Sequence, residues 1–89
     1  MVWRIEFANE AAKELKSLDR PVATRIHAFL TDRLANLDDP RSIGEALRGS
    51  ELGQFWKYRV GDWRIVANID DDVVRVLVLR IGHRRDIYR

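Results

Sequence analysis

Lys57, Arg59 and Arg64 fall within one short stretch, FWKYRVGDWR (residues 55–64), among aromatic residues suited to burial. A second group, His83, Arg84, Arg85 and Tyr88, closes the chain in RIGHRRDIY (residues 80–88). Cations of this kind suit a phosphate. The guanidinium is a planar fork that grips two oxygens at once and keeps its charge when partly buried. Phosphoryl chemistry on RNA needs a group that takes the 2′-OH proton and another that protonates the leaving 5′-oxygen. It also needs cations for the charge building on the phosphate, and something that orients the base. The two stretches together contain candidates for all four.

The elements that must position these groups can be read from the same residues. Gly61-Asp62 is a two-residue hairpin signal. With those two as the loop, Val60 pairs with Trp63, Arg59 with Arg64, Tyr58 with Ile65 and Lys57 with Val66. Side chains alternate along a strand, so Trp56, Tyr58, Val60, Trp63, Ile65 and Ala67 share a core face. Phe55, Lys57, Arg59, Arg64 and Val66 share the other. Arg59 opposite Arg64 is a like-charge pair, which weakens a sheet by about 0.2–1 kcal/mol. An anion between them removes that penalty, and so would Asp62 or Asp86. Phe55 is placed to stack on a base. Gly82 is expected to break the last strand and turn His83, Arg84 and Arg85 over the cationic face.

Around this hairpin, VWRIEF (2–7) alternates as a strand. Ala12, Leu15 and Leu18 then recur at helical spacing, with Asn9 as the expected N-cap. Asp19 and Pro21 open a second helix, whose stripe is Ile26, Phe29, Leu30, Leu34 and Leu37. Asp38-Asp39-Pro40 stops it. Residues 41–54 read as loop, with room for a helical turn in EALRG. Strands follow at about 55–60, 63–69 and 73–80, the last nearly all apolar and therefore central. The expected fold is α+β, with order β-α-α-β-β-β. A two-helix hairpin packs on one face of a mostly antiparallel four-stranded sheet, residues 1–89 forming one domain.

Composition narrows the function classes. Eighty-nine residues, 46% apolar, support one core. With no cysteine there is neither a disulfide framework nor a thiolate metal site, and a reducing cytoplasm is the expected location. No apolar run is long enough to span a membrane, and the start has no signal-peptide core. His27 and His83 lie far apart and give no zinc pattern. Asp70-Asp71-Asp72 reads as a solvated turn. The net charge of +2 is small, but from Lys57 onward seven of eight cations are arginine, which favours phosphate recognition over mere solvation.

LRGSELGQFWKYRVGDWRIVANID followed by VLRIGHRRDIY resembles the RelE toxins of the RelE/ParE toxin–antitoxin superfamily, over essentially the whole chain. The resemblance implies a type II toxin that is an endoribonuclease, or mRNA interferase. It would cleave mRNA in the A site of the 70S ribosome, with contacts to rRNA, and be neutralised by a cognate RelB-like antitoxin in a hetero-oligomer. It implies a metal-free reaction with no cofactor, in which the 2′-OH attacks the adjacent phosphate to leave a 2′,3′-cyclic phosphate and a 5′-hydroxyl. Lys57, Arg59, Arg64, Arg84 and Tyr88 match the family's catalytic positions. Arg59 stands where the best-studied branch commonly has lysine. Phe55, His83 and Arg85 are the expected substrate-binding residues. Arg64 and Arg84 would stabilise the transition state, and Lys57 or Tyr88 would serve or support the base. Both of the latter are protonated at neutral pH unless neighbouring cations or desolvation lower their pKa. The alternatives are a non-enzymatic ParE-like toxin that inhibits DNA gyrase, and a degenerate toxin that only binds its antitoxin.

Overall fold

The computed structural model describes residues 2–47 and 55–87. The first strand, β1 (Arg4–Phe7), leads directly into helix α1 (Asn9–Ser17). Ala8, not Asn9, occupies the N-cap, and no side chain caps the helix. The sheet sets this boundary. Ala8 N–H still donates to Val78 O (2.9 Å) while its own carbonyl accepts the first helical bond from Ala12 (2.9 Å). Helix α2 (Arg20–Ala28) starts after Asp19, with Pro21 in its first turn. It widens into a π turn at Phe29–Arg33 and tightens into a 3₁₀ turn at Leu34–Asn36. The Thr31 hydroxyl donates to His27 O (2.9 Å), a back-bond that competes with the regular helical ladder where the helix widens. Leu37 is extended, so the helical run ends just before Asp38-Asp39-Pro40.

A 3₁₀ turn at Pro40–Ile43 is followed by β2 (Glu45–Ala46), β3 (Phe55–Val60), β4 (Trp63–Asp70) and β5 (Arg75–His83). The five-stranded sheet has the order β1-β5-β4-β3-β2. It therefore has one strand more than the sequence reading. The extra strand is two residues long, Glu45 opposite Lys57 and Ala46 opposite Trp56, too short to carry any alternation. It replaces the helical turn allowed for in EALRG; residues 48 and 49 lie outside the described residues. β1 runs parallel to β5 and the remaining pairs are antiparallel. The last strand is central, as its apolar run required.

The helices lie on one face of the sheet. Ile26, Leu30 and Leu34 from the α2 stripe meet Tyr58, Val60, Ile65, Ala67, Val76, Val78 and Ile81 in one buried cluster. Burial of an aliphatic side chain of this size contributes about 1.5–3 kcal/mol, so this stripe is the main anchor of the helical layer. Beyond Phe7 no strand among the described residues lines the outer edge of β5. There Glu14 of α1 accepts from Ile81 N–H (3.0 Å) and holds Arg80 through both carboxylate oxygens (3.0 Å each). These bonds outweigh burial, which acts in the opposite direction, and hold the Glu14 carboxyl below the ordinary carboxylate range.

β5 carries a bulge. Val66 faces Arg80 whereas Ala67 faces Val78, leaving Leu79 as the extra residue. The strand then continues through Gly82 to His83. Gly82 thus pairs with Arg64 in the sheet and does not break the strand, contrary to the sequence expectation. The break comes one residue later, where Asp86 and Ile87 N–H groups both close on His83 O (2.9 and 3.1 Å). None of the helices among the described residues is long and apolar enough to cross a membrane.

Candidate functional site

The site is built on the β3–β4 hairpin. Its register is the one read from the sequence: Val60 opposite Trp63, Arg59 opposite Arg64, Tyr58 opposite Ile65 and Lys57 opposite Val66. Gly61 takes a positive φ of 60°, which a two-residue turn of this hand requires and which glycine adopts without strain. Tyr58, Val60, Ile65 and Ala67 are buried on the helix side, with Trp56 and Trp63 packed at the margin of the core. The indole rings therefore belong to the core. Phe55, half-buried, remains on the cationic face.

A groove of about 180 Å³ lies on that face, lined by Ile43, Glu45, Lys57, Tyr58, Arg59 and Arg64. It brings together three of the residues singled out from the sequence. Arg64 Nη1 donates to Gly61 O (2.8 Å) and Trp63 O (2.9 Å), so the turn carbonyls fix its guanidinium at one end. Arg59 is exposed, and among the described residues no carboxylate forms an ion pair with it. Lys57 Nζ stands 3.6 Å from Glu45. The Glu45 carboxylate is largely exposed, and an ion pair of this kind is worth little, so an incoming phosphate can displace it. Glu45 was not anticipated, since the two-residue β2 that places it leaves no pattern in the sequence. Below the groove the Tyr58 hydroxyl donates to Pro40 O (2.8 Å) and is buried. Burial pushes this phenol well above its ordinary range, which leaves it a structural donor and not a base.

The C-terminal turn docks against the same hairpin. Arg84 N–H donates to Asp62 O (2.8 Å), and the Arg84 guanidinium lies 3.8 Å from the Asp62 carboxylate. Asp62 thus engages Arg84, not the Arg59–Arg64 pair. Ile87 is buried over Gly82: a Cβ on that glycine would lie 3.3 Å from Ile87 Cβ. Because Gly82 faces Arg64, Ile87 sits on the cationic side. Arg84 and Arg85 are exposed in this turn, and Arg85 N–H donates to His83 Nδ1 (3.2 Å). His83 itself goes elsewhere. It lies opposite Trp63 and meets it edge to face (5.5 Å, 87°), on the helix side of the sheet. Tyr88 lies outside the described residues.

Comparison with known proteins agrees with this architecture. A family model for the ParE toxin of type II toxin–antitoxin systems matches residues 5–88. Toxin RelG of Mycobacterium tuberculosis is 32% identical over 89 residues, covering 100% of this chain and 99% of the relative. Toxin RelE of the same organism is 31% identical over 87 residues, covering 98% and 87%. The crystal structure of the M. tuberculosis toxin–antitoxin complex RelBE2 superposes with a TM-score of 0.83 at 28% identity, covering 97% of this chain and 95% of that one. The chain therefore belongs to the ParE toxin family of type II toxin–antitoxin systems and, within the RelE/ParE superfamily, is of the RelE type.

Proposed function

We propose that this toxin is a ribosome-dependent endoribonuclease that cleaves mRNA in the A site. The observation that carries the reading is the single groove shared by Lys57, Arg59 and Arg64. A phosphodiester laid in it meets a guanidinium fixed by the turn carbonyls at Arg64 and an exposed one at Arg59. The 2′-oxygen of the upstream nucleotide attacks the phosphorus and loses its proton to a base drawn from Lys57 and Tyr88. The bond to the 5′-oxygen breaks, that oxygen takes up a proton from solvent, and the products are a 2′,3′-cyclic phosphate and a 5′-hydroxyl. Arg64 and Arg84 neutralise the charge that grows on the non-bridging oxygens. Arg59 orients the phosphate, since a guanidinium does not give up its proton. Phe55 and Arg85 contact the substrate. His83, facing Trp63, contributes by holding Arg85 N–H.

The reaction takes place in the cytoplasm, where the ribosome supplies rRNA to orient the substrate. A RelB-like antitoxin binds the toxin in a hetero-oligomer and keeps the groove from RNA. The related RelBE2 structure is itself a toxin–antitoxin complex, which supports that partner.

The test is cleavage of mRNA in a purified translation system with a programmed A site. Wild type is expected to cut within the A-site codon, with the activity lost in Arg64→Ala and Arg84→Ala. Intact mRNA with folded wild-type protein would overturn the nuclease reading, and inhibition of DNA gyrase would then be the activity to measure.

A further inference from the structure

A second groove, of about 420 Å³, opens on the other side of Arg59, and its lining includes Arg25, Phe29, Asp32, Arg33, Arg59 and Gly61. Arg25 reaches the hairpin tip: a Cβ on Gly61 would lie 3.0 Å from Arg25 Nη2. Arg25, Arg33 and Arg59 are all exposed, and among the described residues none of the three is ion-paired. The one carboxylate in the groove, Asp32, accepts a hydrogen bond from Thr31. Three arginines against one carboxylate leave a strong positive potential in a concave surface.

The edge of β3 adds backbone groups to it. Val60 and Trp63 close the turn, so Trp56, Tyr58 and Val60 direct their N–H and C=O groups toward β4. Phe55, Lys57 and Arg59 direct theirs outward. Phe55 O accepts from Leu47 N–H (2.9 Å), and Lys57 faces Glu45 in β2. β2 ends there, and no strand among the described residues stands opposite Arg59. A single open backbone position is too short an edge for an added peptide strand, which needs several alternating positions. It is sufficient for one N–H to a phosphate oxygen. Arg59 lines both grooves, so the cations form one band from Arg64 and Lys57 round the sheet edge to Arg25 and Arg33.

We infer that this band is the path of the RNA backbone leaving the cleavage groove, with Arg25 and Arg33 holding phosphates outside the reacting dinucleotide. The inference rests on the nuclease reading. The experiment measures co-sedimentation of the toxin with 70S ribosomes bearing a 2′-O-methylated A-site codon, which binds without being cut, across a series of salt concentrations. Arg25→Gln/Arg33→Gln is expected to bind about tenfold more weakly, with a log–log salt slope shallower by about 1.4, the value for two phosphate contacts on a single strand. Arg25→Lys/Arg33→Lys, which keeps the charge, is expected to recover most of the binding, and an unchanged Tm of the Gln double variant would exclude a folding effect. Wild-type binding and salt slope in the Gln double variant would overturn the path, while weakened binding by Arg64→Ala in the same assay would leave the cleavage groove standing. Loss of antitoxin binding alone in the double variant would assign the groove to an acidic protein segment and also overturn the inference. Failure of wild type to bind programmed ribosomes would overturn both readings.

Discussion

Arg59 stands directly opposite Arg64 across the β3–β4 hairpin, two arginines at the same level of one sheet face. Arg64 is drawn back onto the turn carbonyls Gly61 O and Trp63 O, and Arg59 extends into solvent between two grooves. The separation eases the repulsion without removing it. A site that holds like charges together trades stability for the ability to bind an anion.

Replacing Arg59 with threonine should therefore stabilise the free toxin while impairing it. We expect a gain of a few tenths of a kcal/mol, up to about 1 kcal/mol, in urea unfolding. A-site cleavage should fall by about tenfold or more. A variant that lost both stability and activity would assign Arg59 a structural role.

On the proposed mechanism Arg64 is a cation at the reacting phosphate, so Arg64→Ala should reduce the cleavage rate by about 10²–10³-fold. Single-turnover kinetics on saturating programmed ribosomes separate this from binding, since the deficit should persist at saturation.

Glu14→Gln tests the clamp on the open edge of β5. The folded carboxyl is held below its ordinary range, so its stabilisation is present above the unfolded pKa and is lost as pH falls through the lowered folded value. The variant should be less stable by about 1–2 kcal/mol near neutrality, given that Arg80 is half-exposed. Melting curves of wild type and variant should converge in acid. A difference that stayed constant with pH would mean that the carboxylate's charge is not what matters.

Tyr58→Phe leaves Pro40 O, buried beneath the groove, without its donor and should cost about 1–3 kcal/mol. Because burial keeps this phenol protonated well past its ordinary range, Tyr58 should contribute nothing to an alkaline absorbance titration of the folded wild type. The Tyr58→Phe variant should give the same curve until it unfolds.

Gly82→Val puts side-chain atoms where Ile87 now packs. The hairpin core should survive, with far-UV circular dichroism unchanged. The C-terminal turn should be displaced from Asp62 O, and cleavage should fall as Arg84 leaves the hairpin.

The hairpin was legible in full because the two-residue turn fixes the register and strict alternation fixes the faces. Arg59 opposite Arg64 follows from those two facts alone. The helical stripe Ile26–Leu30–Leu34 was legible for the same kind of reason, a period set by local geometry. Asn9 as a cap was not. Ala8 is still tied to Val78, and that tie depends on a strand far away in sequence. Gly82 read as a break because glycine has no side chain to declare a strand, yet here its bare Cα makes room for Ile87. His83 was assigned to the basic tail with Arg84 and Arg85, but the strand carries it one residue further and turns it toward Trp63. The Arg25–Phe29–Arg33 spacing on the second helix was present in the sequence. Only the fold brings it alongside Gly61.

Leu79 is one residue out of step, and the strand on either side of it keeps a different phase. Val76 and Val78 point inward on one count and Ile81 on the other. The sheet thus behaves as two panels joined at a seam: a core panel clamped to β1, and a distal panel that carries Arg64, Gly82 and the docking seat of the tail. Both panels reach the hydrophobic layer, the first through Val76 and Val78 and the second through Ile65 and Ile81. One extra residue thus lets a single strand turn apolar side chains inward on both sides of the seam while Gly82 stays level with Arg64 on the opposite face.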